Sequence, residues 1–107
     1  MDWIQTLRKC LARDAILYTG HARREMKLEP FGEIKEEEVS EAVSTCEVLT
    51  AYPEDKPYPS ALMLGRTKNK RPLHLVYAYD SENQQAIIIT VYQPDPRLWE
   101  DSKKRKK

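Results

Sequence analysis

Residues 71–99 read RPLHLVYAYD (71–80), SENQQ (81–85) and AIIITVYQPDPRLW (86–99). Two runs rich in β-branched and aromatic residues flank a polar link, the pattern of a hairpin of two buried strands. Upstream, SALMLGR (60–66) and EVLTAY (47–52) suit two more strands. The proline-rich PEDKPYP (53–59) between them cannot be regular. Short links favour an antiparallel meander.

Ahead of the strands the period is helical. Trp3, Ile4, Leu7, Cys10 and Leu11 form one stripe of an amphipathic helix over residues 3–13, and 14–18 is a short connection with partly extended backbone. Thr19 is placed to cap a second helix over GHARREMKL (20–28), with Ala22 and Met26 inward and Pro30 and Gly32 ending it. In EIKEEEVSEAVSTC (33–46), Ile34, Val39, Ala42, Val43 and Cys46 share a third helix face. Glu36, Glu37 and Glu38 occupy its first turn, where negative charge is favourable. Three helices followed by four strands predict an α+β fold, with the helices on one face of a four-stranded, mainly antiparallel sheet. The domain is expected to occupy residues 1–100, with 101–107 a basic flexible tail.

At 107 residues the chain suffices for one core, and 40% hydrophobic with 33% charged residues describes a soluble globular protein. The net charge of +1 gives no overall attraction to nucleic acid. Cations are instead clustered in HARR (21–24), GRTKNKR (65–71) and SKKRKK (102–107), where they can steer an anion. The first residues carry charges and no long apolar run, so neither a signal peptide nor a membrane span is expected. Cys10 and Cys46 read as reduced core thiols of a cytoplasmic protein. Without a CxxC or a Cys/His cluster, no metal is expected.

Strand parity decides which side chains can meet. On the long hairpin the even positions are His74, Val76 and Ala78, then Ile88, Thr90 and Tyr92. If residue 74 lies opposite 92, then 76 faces 90, and Leu64 and Arg66 of the preceding strand join that face. A slip of one residue would break the arrangement. A face with histidine, threonine, tyrosine and arginine can run metal-independent cleavage of RNA, whose 2′-hydroxyl is its own nucleophile. The same residue types also pack and cap in small domains. Beside this face, Arg66, Lys68 and Arg71 are candidates to hold phosphate. His21, in the first turn of the second helix with Arg23 and Arg24, could help to hold one too, or could belong to a solvated polar face.

Several motifs carry a family resemblance. They are His21-Ala22-x-x-Glu25-Met26, Tyr52-Pro53-x-Asp55-x-Pro57-x-Pro59-Ser60, Leu64-Gly65, Arg71-Pro72-Leu73-His74-x-Val76 and Thr90-Val91-Tyr92-x-Pro94-x-x-x-x-Trp99. In this order, over roughly residues 15–99, the chain resembles a small bacterial family of unknown function. That family is similar to the RelE-like toxins and the wider barnase–EndoU–colicin–RelE group of ribonucleases. The resemblance implies a RelE-like fold, an RNA substrate (ribosome-bound mRNA included), and no cofactor or metal. It further implies the toxin half of a type II toxin–antitoxin pair, an mRNA interferase whose antitoxin is a zinc-finger, helix-turn-helix protein. His21 and His74 become acid–base candidates, with Arg24, Thr90 and Tyr92 around the scissile phosphate. The chain departs from the pattern at Thr50-Ala51, Cys46 and Lys35, where an acid, a glycine and a capping Ser or Thr are usual. Two other classes stay open: a non-catalytic RNA- or protein-binding module, and a small homodimeric regulatory protein.

Overall fold

His74, Val76, Thr90 and Tyr92 of the long hairpin do share a face, whereas Ile88, expected beside them, lies opposite Tyr77 in the core. Strands β3 (Ser60–Arg66), β4 (Pro72–Asp80) and β5 (Gln85–Tyr92) pair antiparallel in the computed structural model, which describes residues 1–106. His74 lies opposite Tyr92 and Val76 opposite Thr90, while Leu64 meets His74 and Arg66 meets Pro72. A bulge follows Val76, so the register changes only beyond the four residues that matter. Strand β2 (Glu47–Tyr52) forms the exposed edge beside β3.

The opposite face is the core. Met63, Leu73, Leu75, Tyr77 and Val91 are buried with Leu7 and Cys10 of α1 (Trp3–Ala12) and Val39, Ala42 and Val43 of α3 (Glu36–Val43). Tyr77 is fully buried, stands edge-on to Trp3, and donates its hydroxyl hydrogen to the Trp3 carbonyl at 2.5 Å. A buried hydroxyl without such an acceptor would be costly. Cys10 and Cys46 are free, buried thiols, as expected. Among the described residues no helix is long and apolar enough to cross a membrane.

The α+β, mainly antiparallel architecture is as expected, and two features add to it. The sheet has five strands, in the order β1-β5-β4-β3-β2, because Ile16–Tyr18 in the extended part of the 14–18 connection is a strand (β1) parallel to β5. Three residues are too few for a side-chain period to register, and the pairing rests on backbone bonds such as Ala86 N to Ala15 O at 3.0 Å. The supposed tail also folds back. Trp99–Glu100 (β6) and Lys104–Arg105 (β7) form a hairpin closed by Lys103 N donating to Glu100 O at 2.9 Å. Its central residues Asp101 and Ser102 have φ of 51° and 62°, the signature of a type I′ turn. Such turns usually announce themselves with glycine, and Asp-Ser does not. Lys107 lies outside the described residues.

Candidate functional site

Helix α2 (Gly20–Lys27) is fixed to the sheet by its acidic side chains. Its N-cap Thr19 accepts from Ala22 N at 3.0 Å and donates to Ile89 O at 3.2 Å. Because β1 stops at Tyr18, the β5 edge beyond Ile88 lacks a neighbouring strand. Glu25 fills the vacancy by accepting from Val91 N at 2.7 Å and from the Thr90 hydroxyl, and Glu29 accepts from Gln93 N at 3.2 Å. Carboxylates thus stand in for a strand along that edge. Thr90, expected at the scissile phosphate, has its hydroxyl committed to Glu25 and acts as an anchor for α2. Glu25 itself escaped notice as a site residue, although it lies one helical turn after His21. The His21 Nε2 to Glu25 Oε2 distance is 3.8 Å.

His74 is completely buried. Its Nε2 faces the Ser102 carbonyl, which can only accept, so Nε2 carries the hydrogen and Nδ1 accepts from the Tyr92 hydroxyl at 3.0 Å. The Trp99 ring closes over it edge-on, 4.5 Å between centroids. Burial pushes the imidazole pKa below its ordinary value near 6.5, against a smaller opposing effect of the Ser102 carbonyl. The unfolded chain therefore takes up a proton that the folded one resists. Urea-unfolding free energy should be undiminished above about pH 6.5 and should decline as pH falls below it. His74→Gln should flatten that stretch of the profile; an unchanged slope would show that His74 is not its source.

Tyr92 also faces the other way. It lines a cleft of about 590 Å³ with His21, Arg24, Arg97, Trp99 and Arg105. His21 is 63% exposed there. Three carboxylates line the cleft, but Glu25 and Glu29 are bound to β5 and Asp95 is paired with Arg97 at 2.7 Å. Arg24 and Arg105 carry no ion pair among the described residues, and the Arg105 guanidinium sits 5.8 Å from the Trp99 ring centroid. The lining thus sets three arginines against three carboxylates, and Arg24 and Arg105 are its cations without an ion pair among the described residues. Leu28, Phe31 and Leu98, all exposed, add an apolar margin. Burial first, and then the Glu25 charge, raise the Tyr92 pKa while Arg105 lowers it, so its hydroxyl stays protonated near neutrality.

The remaining candidates lie elsewhere. Arg66 and Lys68, with Lys70 and Lys103, border a separate hollow of about 500 Å³. Arg71, expected to hold RNA, is engaged in structure. It donates to Gln93 Oε1 at 2.6 Å, to both Glu38 oxygens at 3.1 and 3.2 Å, and to the carbonyls of Gly32 and Glu33. His21, Arg24 and Tyr92 thus come together, His74 adjoins them through Tyr92, and Arg66 with Lys68 forms a second cationic group. Trp99 packs edge-on against His74 and is also a wall of the cleft. Arg97 and Arg105 were missed; only the terminal charge run signalled the latter. Among the described residues no group of three His, Cys, Asp or Glu is placed to hold a metal.

Fold and site together define a small α+β domain with an open cleft between α2 and the end of β5, lined by histidine, tyrosine, arginines and carboxylates. The chain belongs to the family described as Domain of unknown function (DUF4258), whose model matches residues 18–93. No curated protein matches it, and neither does any solved structure.

Proposed function

We propose that the cleft between α2 and β5 binds single-stranded RNA and cleaves it without a metal, as the toxin of a type II toxin–antitoxin pair. The observation that carries this reading is the convergence of His21 and Tyr92 with the unpaired cations Arg24 and Arg105 in one cleft. Phe31 and Trp99 supply ring faces on which bases stack. His21, backed by Glu25, takes the proton of the 2′-hydroxyl as its oxygen attacks phosphorus. Tyr92 supplies a proton to the departing 5′-oxygen, and the two arginines balance charge that grows on the phosphoryl oxygens. One P–O bond forms as another breaks, leaving a 2′,3′-cyclic phosphate and a 5′-hydroxyl. For the toxin role, the cytoplasmic location and a zinc-finger, helix-turn-helix antitoxin as partner, the support is the resemblance carried by the sequence motifs alone.

Burial of His74, with both ring nitrogens satisfied, favours a second reading as a non-catalytic RNA-binding module. Incubating the protein with defined RNA in excess EDTA separates the two. The expected result is cleavage that His21→Ala slows by roughly a hundredfold or more with RNA affinity retained. Products bearing 5′-phosphate, or loss of activity to the chelator, would refute the mechanism. Binding without cleavage would establish the module instead.

A further inference from the structure

We infer that the β6–β7 hairpin is a lid over a second part of the RNA site, the sheet face carrying His74, and that RNA first held in the cleft gains this face only when the lid lifts. This rests on the RNA reading of the adjoining cleft.

Three observations support it. First, the hairpin is what seals His74: Trp99 meets the ring edge-on and the Ser102 carbonyl takes its Nε2 hydrogen. Tyr92, bonded to the same ring, already lines the open cleft, so lifting the lid would merge the cleft with the His74 face. Second, the attachment is light. The hairpin forms its own two-stranded sheet and adds no strand to the main one. Besides the His74 contacts it is held by the ion pair from Lys103 Nζ to Glu47 at 3.1 Å, whose side chains are 54% and 49% exposed. Exposed pairs contribute little. Asp101 and Ser102 also adopt left-handed backbone without being glycine, which raises the cost of the turn that presents the Ser102 carbonyl to His74. Third, its charge suits the role. Lys103 borders the Arg66–Lys68 hollow and Arg105 borders the cleft, so the lid sits between the two cationic groups. A polyanion that spans both meets cations of the lid itself.

Residue 102 offers a matched pair of variants, because its carbonyl, not its side chain, meets His74. Ser102→Gly relieves the left-handed strain and should hold the lid shut, reducing the open population roughly fivefold. Ser102→Pro cannot adopt the positive φ and should hold it open. Diethyl pyrocarbonate labelling of the full chain, read by mass spectrometry, compares the two histidines, with exposed His21 as internal standard. A short single-stranded oligoribonucleotide of mixed sequence then gives affinities.

The expected result is His74 labelling that rises in Ser102→Pro and falls in Ser102→Gly, with RNA affinity changing in the same order. If His74 resists labelling in all three proteins, the hairpin is not a lid and the inference is overturned. If labelling follows the variants but RNA affinity is equal, or is lower in Ser102→Pro, the lid does not gate RNA and the inference is equally overturned. Absence of RNA binding by every protein, whatever the labelling shows, would instead mark failure of the RNA reading, and the gating role would fall with it.

Discussion

Gly65→Ala is expected to lower the folding free energy by about 3 kcal/mol or more, enough to unfold a domain of marginal stability. Gly65 is in β3 directly under α3, and the reason for glycine there is proximity. A Cβ at this position would lie 2.1 Å from the Ala42 carbonyl oxygen, 2.6 Å from its carbon and 2.9 Å from its Cβ. Backbone atoms of a packed helix cannot yield as a flexible side chain can, so α3 would have to rise off the sheet. Ala42 is fully buried, and that displacement would open the contacts of Val39 and Val43 as well. Gly20→Ala is the natural control, since the nearest atom to its added Cβ is the end of Arg24 at 3.4 Å. It should be neutral or slightly stabilising. Urea midpoints of the two variants check the contrast. A loss below about 1 kcal/mol in Gly65→Ala would mean that the helix and sheet are not locked at this point.

What the sequence disclosed and what it hid divide along one physical line. Side-chain periodicity disclosed the three helices, the meander, and the parity that puts His74, Thr90 and Tyr92 on one face, because burial acts on side chains. Several of the misses are partnerships with main-chain atoms. Strand β1 is held by peptide groups, Glu25 and Glu29 by the Val91 and Gln93 N–H groups, and His74 by the Ser102 carbonyl. Every residue has the same peptide group, so nothing in the residue types marks which one will be a partner. That is why the terminal residues could be expected to be loose when their backbone turns back over the sheet. Thr90 could be expected to act on substrate because nothing in the sequence marks Glu25, in a distant helix, as the partner of its hydroxyl.

Arg71 is the sharpest case, because the same cluster of cations contains both kinds of arginine. Arg66 is exposed beside a hollow, whereas the Arg71 side chain is only 16% exposed and bonds five acceptors. Through them it ties the 28–35 loop, the start of α3 and the end of β5 into one unit. Arg71→Ala would leave Glu38 and two carbonyls short of their donor and should cost roughly 3 kcal/mol. Arg71→Lys should recover little of this, since one ammonium cannot reach acceptors spread around a planar fork. The loop it holds carries Phe31, which lines the cleft, so RNA affinity should weaken in both variants. Salt dependence distinguishes this from a lost phosphate contact. Removing a cation that touches phosphate lowers the slope of log K against log salt by about 0.7 for a single strand. Arg24→Ala should show that decrease. Arg71→Ala and Arg71→Lys should weaken binding with the slope intact, and lower the urea midpoint in parallel. Full RNA affinity in the lysine variant, with a reduced slope in the alanine one, would return Arg71 to the phosphate-binding role that its position in the sequence suggests.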